Sequence, residues 1–315
     1  DAETALIYQV LADFSDPRLP AAYRGSPRAF GDSHILDEVS LRCAQLSAET
    51  QAILVPFLMP PVYVGSWGDP QTQQQALPDP QPTATGLAPG EGGNSGIEPG
   101  EQGTEPESSP TEFDLPCNQI DLDRWEYKSG MHSPLRVWWL KSRPEDSAEA
   151  DRIIAAMDND VWSRLTGLMG RIPPPDGDQK CNGGSPDYDI YLAPMIQGGL
   201  TSTYIAGCKN APTYISLEPG IDISFLVHEF MHAITWAYEF AGGCKTPEYS
   251  WVSEATSDWA IDFVYPDNNY EHRSIKGYYN PPSGKLSLPT KDGQHEYGAY
   301  LFLFFLAQQF GDPGI

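Results

Sequence analysis

Residues 221–240 read IDISFLVHEFMHAITWAYEF, with His228, Glu229, Phe230, Met231 and His232 at the centre. The run is apolar enough and long enough for a helix. Positions four apart on a helix lie one turn apart on the same face, so His228 and His232 can reach one metal ion together. Glu229 falls beside His228, near the metal without binding it. Two nitrogen ligands next to a carboxylate form the arrangement of a zinc hydrolase, in which the carboxylate takes a proton from water on the metal. A plainer reading is a buried helix that happens to carry two histidines. Phe225, Leu226, Val227, Phe230, Met231, Ile234 and Trp236 do make this helix apolar nearly all round. Two imidazoles and a carboxylate inside such a helix then need partners, and a metal supplies one.

A tetrahedral catalytic zinc needs a third protein ligand and one open position. Glu254 follows His232 by 22 residues, in the stretch WVSEATSDWA at 251–260, and Asp258 stands one turn further on. This resembles the gluzincins, zincins whose third ligand is a glutamate on the helix after the HExxH helix. The resemblance implies that Asp258 holds the outer nitrogen of a ligand histidine and fixes its tautomer. A solvated helix face is the alternative for Asp258 in so acidic a chain. The zincin class that continues HExxHxxGxxH is excluded, because Ala233-Ile234-Thr235-Trp236-Ala237-Tyr238 has no Gly or His at those offsets.

The 315 residues carry a formal net charge of −24 and 40% hydrophobic residues. That is enough for a sizeable core. It also argues against nucleic acid and anionic membrane surfaces as partners, since no basic patch exists to meet phosphates. No apolar run is long enough to span a membrane; the longest lies near 301–306. The start at Asp1 reads as a mature or trimmed end, and the stop at Ile315, just past a helix cap, suggests a natural chain that continues. The charge suits a protein working outside the cell, and a secreted, extracellular location with a protein or peptide substrate is expected.

Three domain segments are expected: a small helical module at 1–65, a low-complexity linker at 66–116 and a catalytic domain at 117–315. In the first, amphipathic segments begin at Ala5, at Leu36 and at Ser47, and Pro60-Pro61 stops the last. The module reads either as a removable cover over the active site or as a permanent docked layer. Beyond the linker, Leu135-Arg136-Val137-Trp138-Trp139-Leu140 reads as a strand. Asp146 is expected to cap a helix, in which Ile153, Met157, Val161, Leu165 and Met169 recur every four residues. Strands are expected at 189–192, 203–205 and 213–217, and the stretch 199–207 reads as a sheet edge for substrate or a plain hairpin. The order β-α-β-β-β-α, followed by helices, predicts an α+β fold with a twisted sheet over the HExxH helix. After Pro266 comes a polar loop at 268–272, then a buried helix from Tyr297.

Five cysteines occur, at 43, 117, 181, 208 and 244, none in a CxxC pair. Cys181 and Cys208 are expected to form a loop staple of the kind secreted proteins use.

Taken together, HEFMHAI at 228–234, WVSEAT at 251–256, YDIY at 188–191, LSAET at 46–50 and YGA at 297–299 resemble a family of secreted bacterial gluzincin-type metalloproteases. That family is named after a myxobacterial member and is akin to the peptidase MA clan. The resemblance implies a zincin-like fold, one Zn2+ held by His228, His232 and Glu254, and Glu229 as general base. It also implies an oxyanion-stabilising side chain. Related aminopeptidases place a Tyr three residues before a Gly-Ala pair, which here falls on His295, whereas Tyr297 directly precedes Gly298. Tyr297 and His295 both stand as candidates. The exopeptidase signature GAMEN is absent, so endopeptidase action is expected. The rival from another class is a non-catalytic surface or adhesive module on the same fold.

Overall fold

The computed structural model describes residues 2–20, 33–74, 115–194, 196–204, 210–238, 250–279 and 294–312. At its centre is a five-stranded sheet. β1 (Trp125–Ser129) pairs antiparallel with β2 (Leu135–Leu140), which runs parallel to β3 (Tyr188–Leu192). β3 runs parallel to β5 (Thr213–Leu217), and β4 (Gly199–Thr203) closes the far edge antiparallel to β5. The chain is therefore α+β with a mixed sheet. β2, β3 and β5 are buried at every position, as expected of strands covered on both faces.

The side-chain period of two sorts the strands into two cores. Val137, Trp139, Ile190, Leu192, Ile215 and Leu217 face a core shared with helices that follow in the chain. Trp138, Leu140, Tyr191, Leu200 and Tyr214 face the opposite core, filled by the N-terminal helices α1 (Ala2–Asp13), α2 (Ser33–Arg42) and α3 (Ala48–Leu58). The N-terminal segment is thus a layer on the sheet. Ser47 caps α3 by accepting from the Thr50 amide.

Residues 66–74 and 115–116, expected in the linker, belong to the folded part. Trp67 and Leu115 are buried in the N-terminal core, and Pro70–Gln73 forms a short helix, α4. The Val64 amide donates to Gln119 O and the Asp121 amide to Val62 O, joining the strips before and after residues 75–114. Those 40 intervening residues lie outside the described residues.

Between β2 and β3 the chain runs through α5 (Asp146–Ala156), a π-turn (Met157–Val161) and α6 (Trp162–Met169). The π-turn explains the spacing of four. In a straight α-helix, side chains four apart drift round the axis, and the wider turn winds them back. Ile153, Met157, Val161 and Leu165 are all fully buried; Met169 is only partly so. Asp146 does not cap α5: Glu145 holds that position without a side-chain bond, and Asp146 instead receives the Arg143 guanidinium.

Two further expectations are corrected. The third strand lies at Gly199–Thr203 rather than 203–205; Ile205 is outside the described residues. The C-terminal run forms two helices, α10 (Gln294–Gly298) and α11 (Tyr300–Phe310), in place of one buried helix. Within α11 only Tyr300 and Leu303 are buried, while Phe305 and Phe310 are 56% and 69% exposed. The loop expected at 268–272 leads into a 3-10 turn at Tyr270–Ser274 and α9 (Ile275–Tyr279).

The disulfide expectation is overturned as well. Cys181 bonds to Cys117, with Cα atoms 5.3 Å apart, so it is not free to bond Cys208. Cys208 and Cys244 lie outside the described residues, and Cys43 is a buried thiol. The bridge closes a loop of 64 residues, worth about 4 kcal/mol in the chain-entropy model. Non-reducing peptide mapping should return a 117–181 crosslink, and Cys117→Ala with Cys181→Ala should lower stability by about 2–4 kcal/mol. A 181–208 crosslink would contradict the structure.

A polar cluster lies between the sheet and the N-terminal layer. The Arg136 guanidinium meets the Asp189 carboxylate at 3.0 Å and donates to the carbonyls of Gly183 and Asn182. Trp138 Nε1 also donates to Asp189. Gly183, at φ +59°, must lack a side chain, because a Cβ there would stand 2.3 Å from Asp189 Oδ2. Its amide donates to the Tyr63 hydroxyl of the N-terminal segment. Asp176 is buried close by, and burial pushes its carboxyl from 3.8 to about 6 against the opposing pull of Tyr204 and Arg136. The folded state then binds more protons than the unfolded state between those values, so the stability contribution falls as pH rises from 4 to 6. Asp176→Asn should therefore match the wild type below pH 4 and exceed it above pH 6, by up to about 3 kcal/mol. Thermal melts that stay parallel from pH 4 to 8 would contradict this.

Candidate metal centre

α7 (Ile223–Thr235) starts at Asp222, whose carboxylate accepts from the Ser224 amide, and it is buried from Ser224 to Thr235. It packs between the sheet and α8 (Ser250–Val264). One turn of α7 presents His228 and His232; the facing turn of α8 presents Glu254 and Asp258.

His228, His232 and Glu254 each offer one ligand atom to a common point. The two Nε2 atoms stand 3.0 Å apart, and Glu254 Oε2 lies 3.2 Å from His228 Nε2 and 3.5 Å from that of His232. All three residues are buried. Ligand atoms held tetrahedrally at about 2.0–2.1 Å from zinc stand roughly 3.3 Å apart, so these spacings fit a metal. The donor chemistry fits too, since lone pairs and a carboxylate oxygen converge where a cation would sit. The three residues form a possible metal-binding triad.

The outer nitrogens are held as well. His228 Nδ1 donates to Asp258 Oδ1 at 2.9 Å, which leaves Nε2 facing the triad. His232 Nδ1 lies 3.0 Å from Ser253 Oγ. Burial would lower the His228 pKa, but Asp258 and Glu254 raise it, and a metal would compete with that proton for Nε2. Asp258 also faces Arg273, with Nη2 3.8 Å from Oδ1, and this half-buried guanidinium stacks 3.8 Å over the Tyr270 ring.

Glu229 is buried and turned towards the edge strand. Thr201 Oγ1 lies 2.7 Å from its Oε2 and 2.8 Å from its carbonyl oxygen. Burial raises the Glu229 pKa, opposed by His228, His232 and the Thr201 bond. The Tyr297 ring lies 5.7 Å from the His228 ring. His295 is buried, and its Nδ1 donates to the Gly277 carbonyl of α9 at 3.3 Å.

Sequence reading missed Thr201, Ser253 and Arg273. Thr201 lay inside the stretch read as a sheet edge, and Ser253 directly precedes Glu254. Arg273 carried no local signal, because only the turn after α8 brings it to Asp258. In comparisons of this chain with known proteins, no family model, no curated protein and no solved structure matches.

Proposed function

We propose that this chain is a zinc-dependent endopeptidase with a zincin-like fold of gluzincin type, acting outside the cell on protein or peptide substrates. The observation that carries the proposal is the triad of His228, His232 and Glu254 with Glu229 buried in the turn beside it. The disulfide fits an oxidising compartment. Among the described residues, no helix is long and apolar enough to cross a membrane.

Zinc would be held by His228, His232 and Glu254, and when bound it supplies an electrophile that acidifies water and polarises a carbonyl. Glu229 takes the proton of the attacking water and later gives it to the leaving amine nitrogen. Asp258 keeps His228 in the tautomer that turns Nε2 to the triad. β4 is the outermost strand of the sheet, buried at every position and lying beside α7 and α2. The Tyr297 hydroxyl is the first choice for stabilising the oxyanion, since its ring lies beside His228, and His295 is the second.

A peptide-library digest with and without a chelator tests the reading. Cleavage should disappear with the chelator and return with added zinc. Cleavage that persists in the chelator would contradict it. Zinc-loaded protein silent on every peptide would favour the non-catalytic surface module.

A further inference from the structure

Glu229 carries a flexible side chain with three rotatable bonds, yet a general base must sit within hydrogen-bond reach of the proton it takes. The constraint comes from β4. Along this strand the side chains alternate: Leu200 points into the N-terminal core, while Thr201 meets Glu229 on the opposite face. Gly199, two residues before Thr201, shares that face. A Cβ at Gly199 would stand 2.7 Å from Glu229 Cγ and 2.9 Å from Oε1, so only glycine leaves room for the carboxylate. The Thr201 hydroxyl then fixes its orientation at 2.7 Å. The two contacts are independent, one an exclusion and the other a bond, and they act on the same side chain.

The geometry points to Gly199 and Thr201 as positioning residues that form a seat on the edge strand for the Glu229 carboxylate. The inference rests on the reading of Glu229 as general base. The edge strand thus sets the base, and its pairing with β5 along all five residues makes the seat one rigid element. Threonine suits the task because its β-branched side chain has few rotamers, and β4 is buried at every position. The hydroxyl also reaches the Glu229 carbonyl oxygen, at 2.8 Å.

The test compares full-length, zinc-loaded wild type with Thr201→Val, Thr201→Ser and Gly199→Ala. Zinc content, melting temperature, crystal structures and peptide hydrolysis are read for each. In Thr201→Val, which keeps the shape and loses the bond, the Glu229 carboxylate should leave its place. The kcat should fall about 10–100-fold with KM nearly unchanged, because misplacement of a catalytic group by about 1 Å has costs of that order. Thr201→Ser should restore most of the rate, and Gly199→Ala should displace the carboxylate outright. Thr201→Ala replaces the valine variant if that one does not fold. An unmoved carboxylate in Thr201→Val overturns the inference, and so does an unchanged kcat. Should the wild type cleave no peptide, the endopeptidase reading fails by itself. The crystal structures then decide the seat alone, with a displaced carboxylate upholding it and an unmoved one refuting it.

Discussion

Glu229→Gln should abolish hydrolysis while leaving zinc content and fold intact. The amide is nearly isosteric with the carboxylate and can still accept from Thr201, so the bond of 2.7 Å survives the change. What it cannot do is accept the proton of water. General-base catalysis contributes about 10²–10⁴-fold to rate, which is about 3–5 kcal/mol of barrier. The variant should therefore lose activity by at least that factor on any peptide the wild type cleaves. The triad of His228, His232 and Glu254 is untouched, so metal analysis should return the same stoichiometry. Equal kcat in variant and wild type would place the base elsewhere.

The second large effect concerns the N-terminal layer. Trp125, Trp138, Tyr191, Tyr204 and Tyr214 of the sheet side share one core with Val10, Phe14, Leu54, Phe57 and Trp67. Phe14 meets Phe57 and Trp67 edge-on at 4.8 Å and 5.0 Å. Uncovering even about 500 Å² of this face would cost roughly 12 kcal/mol as an upper figure, comparable to the whole stability of a domain at about 5–15 kcal/mol. Residues 115–315 expressed alone should be insoluble or unfolded. Proteolysis confined to residues 75–114 should leave one particle in gel filtration, its two pieces separating only in denaturant. A stable, more active 115–315 fragment would instead support a removable cover. The shared core supports the docked layer.

The helix that carries His228, Glu229 and His232 is legible in the sequence because its chemistry is local. His228, Glu229 and His232 lie within one turn, and Glu254 and Asp258 within another, so the periodicity of a helix was sufficient to bring the ligands onto common faces. β2 and β5 were equally legible, since LRVWWL and TYISL are continuous runs of strand formers. β4 was misplaced for the opposite reason. Gly199 and Ser202 weaken the strand signal of Gly199-Leu200-Thr201-Ser202-Thr203, and Gly199 answers to the space Glu229 needs rather than to the strand itself. Cys117 and Cys181 could not be paired from spacing, because connectivity is set by the fold. The C-terminal run looks buried from composition alone, yet among the described residues α11 packs mainly on α8, where Tyr300 and Leu303 join Ala255 and Trp259, and leaves Phe305 and Phe310 exposed.

The central claim is that two imidazoles and one carboxylate of this chain hold a zinc ion, and X-ray absorption at the zinc edge of the full-length protein tests it most directly. One zinc per chain is expected in a shell of about four light atoms near 2.0–2.1 Å, with two imidazole signatures and no sulfur. The signal should be lost in Glu254→Ala at low free zinc. Sulfur at about 2.3 Å, or an unchanged shell and full occupancy in Glu254→Ala, would contradict it.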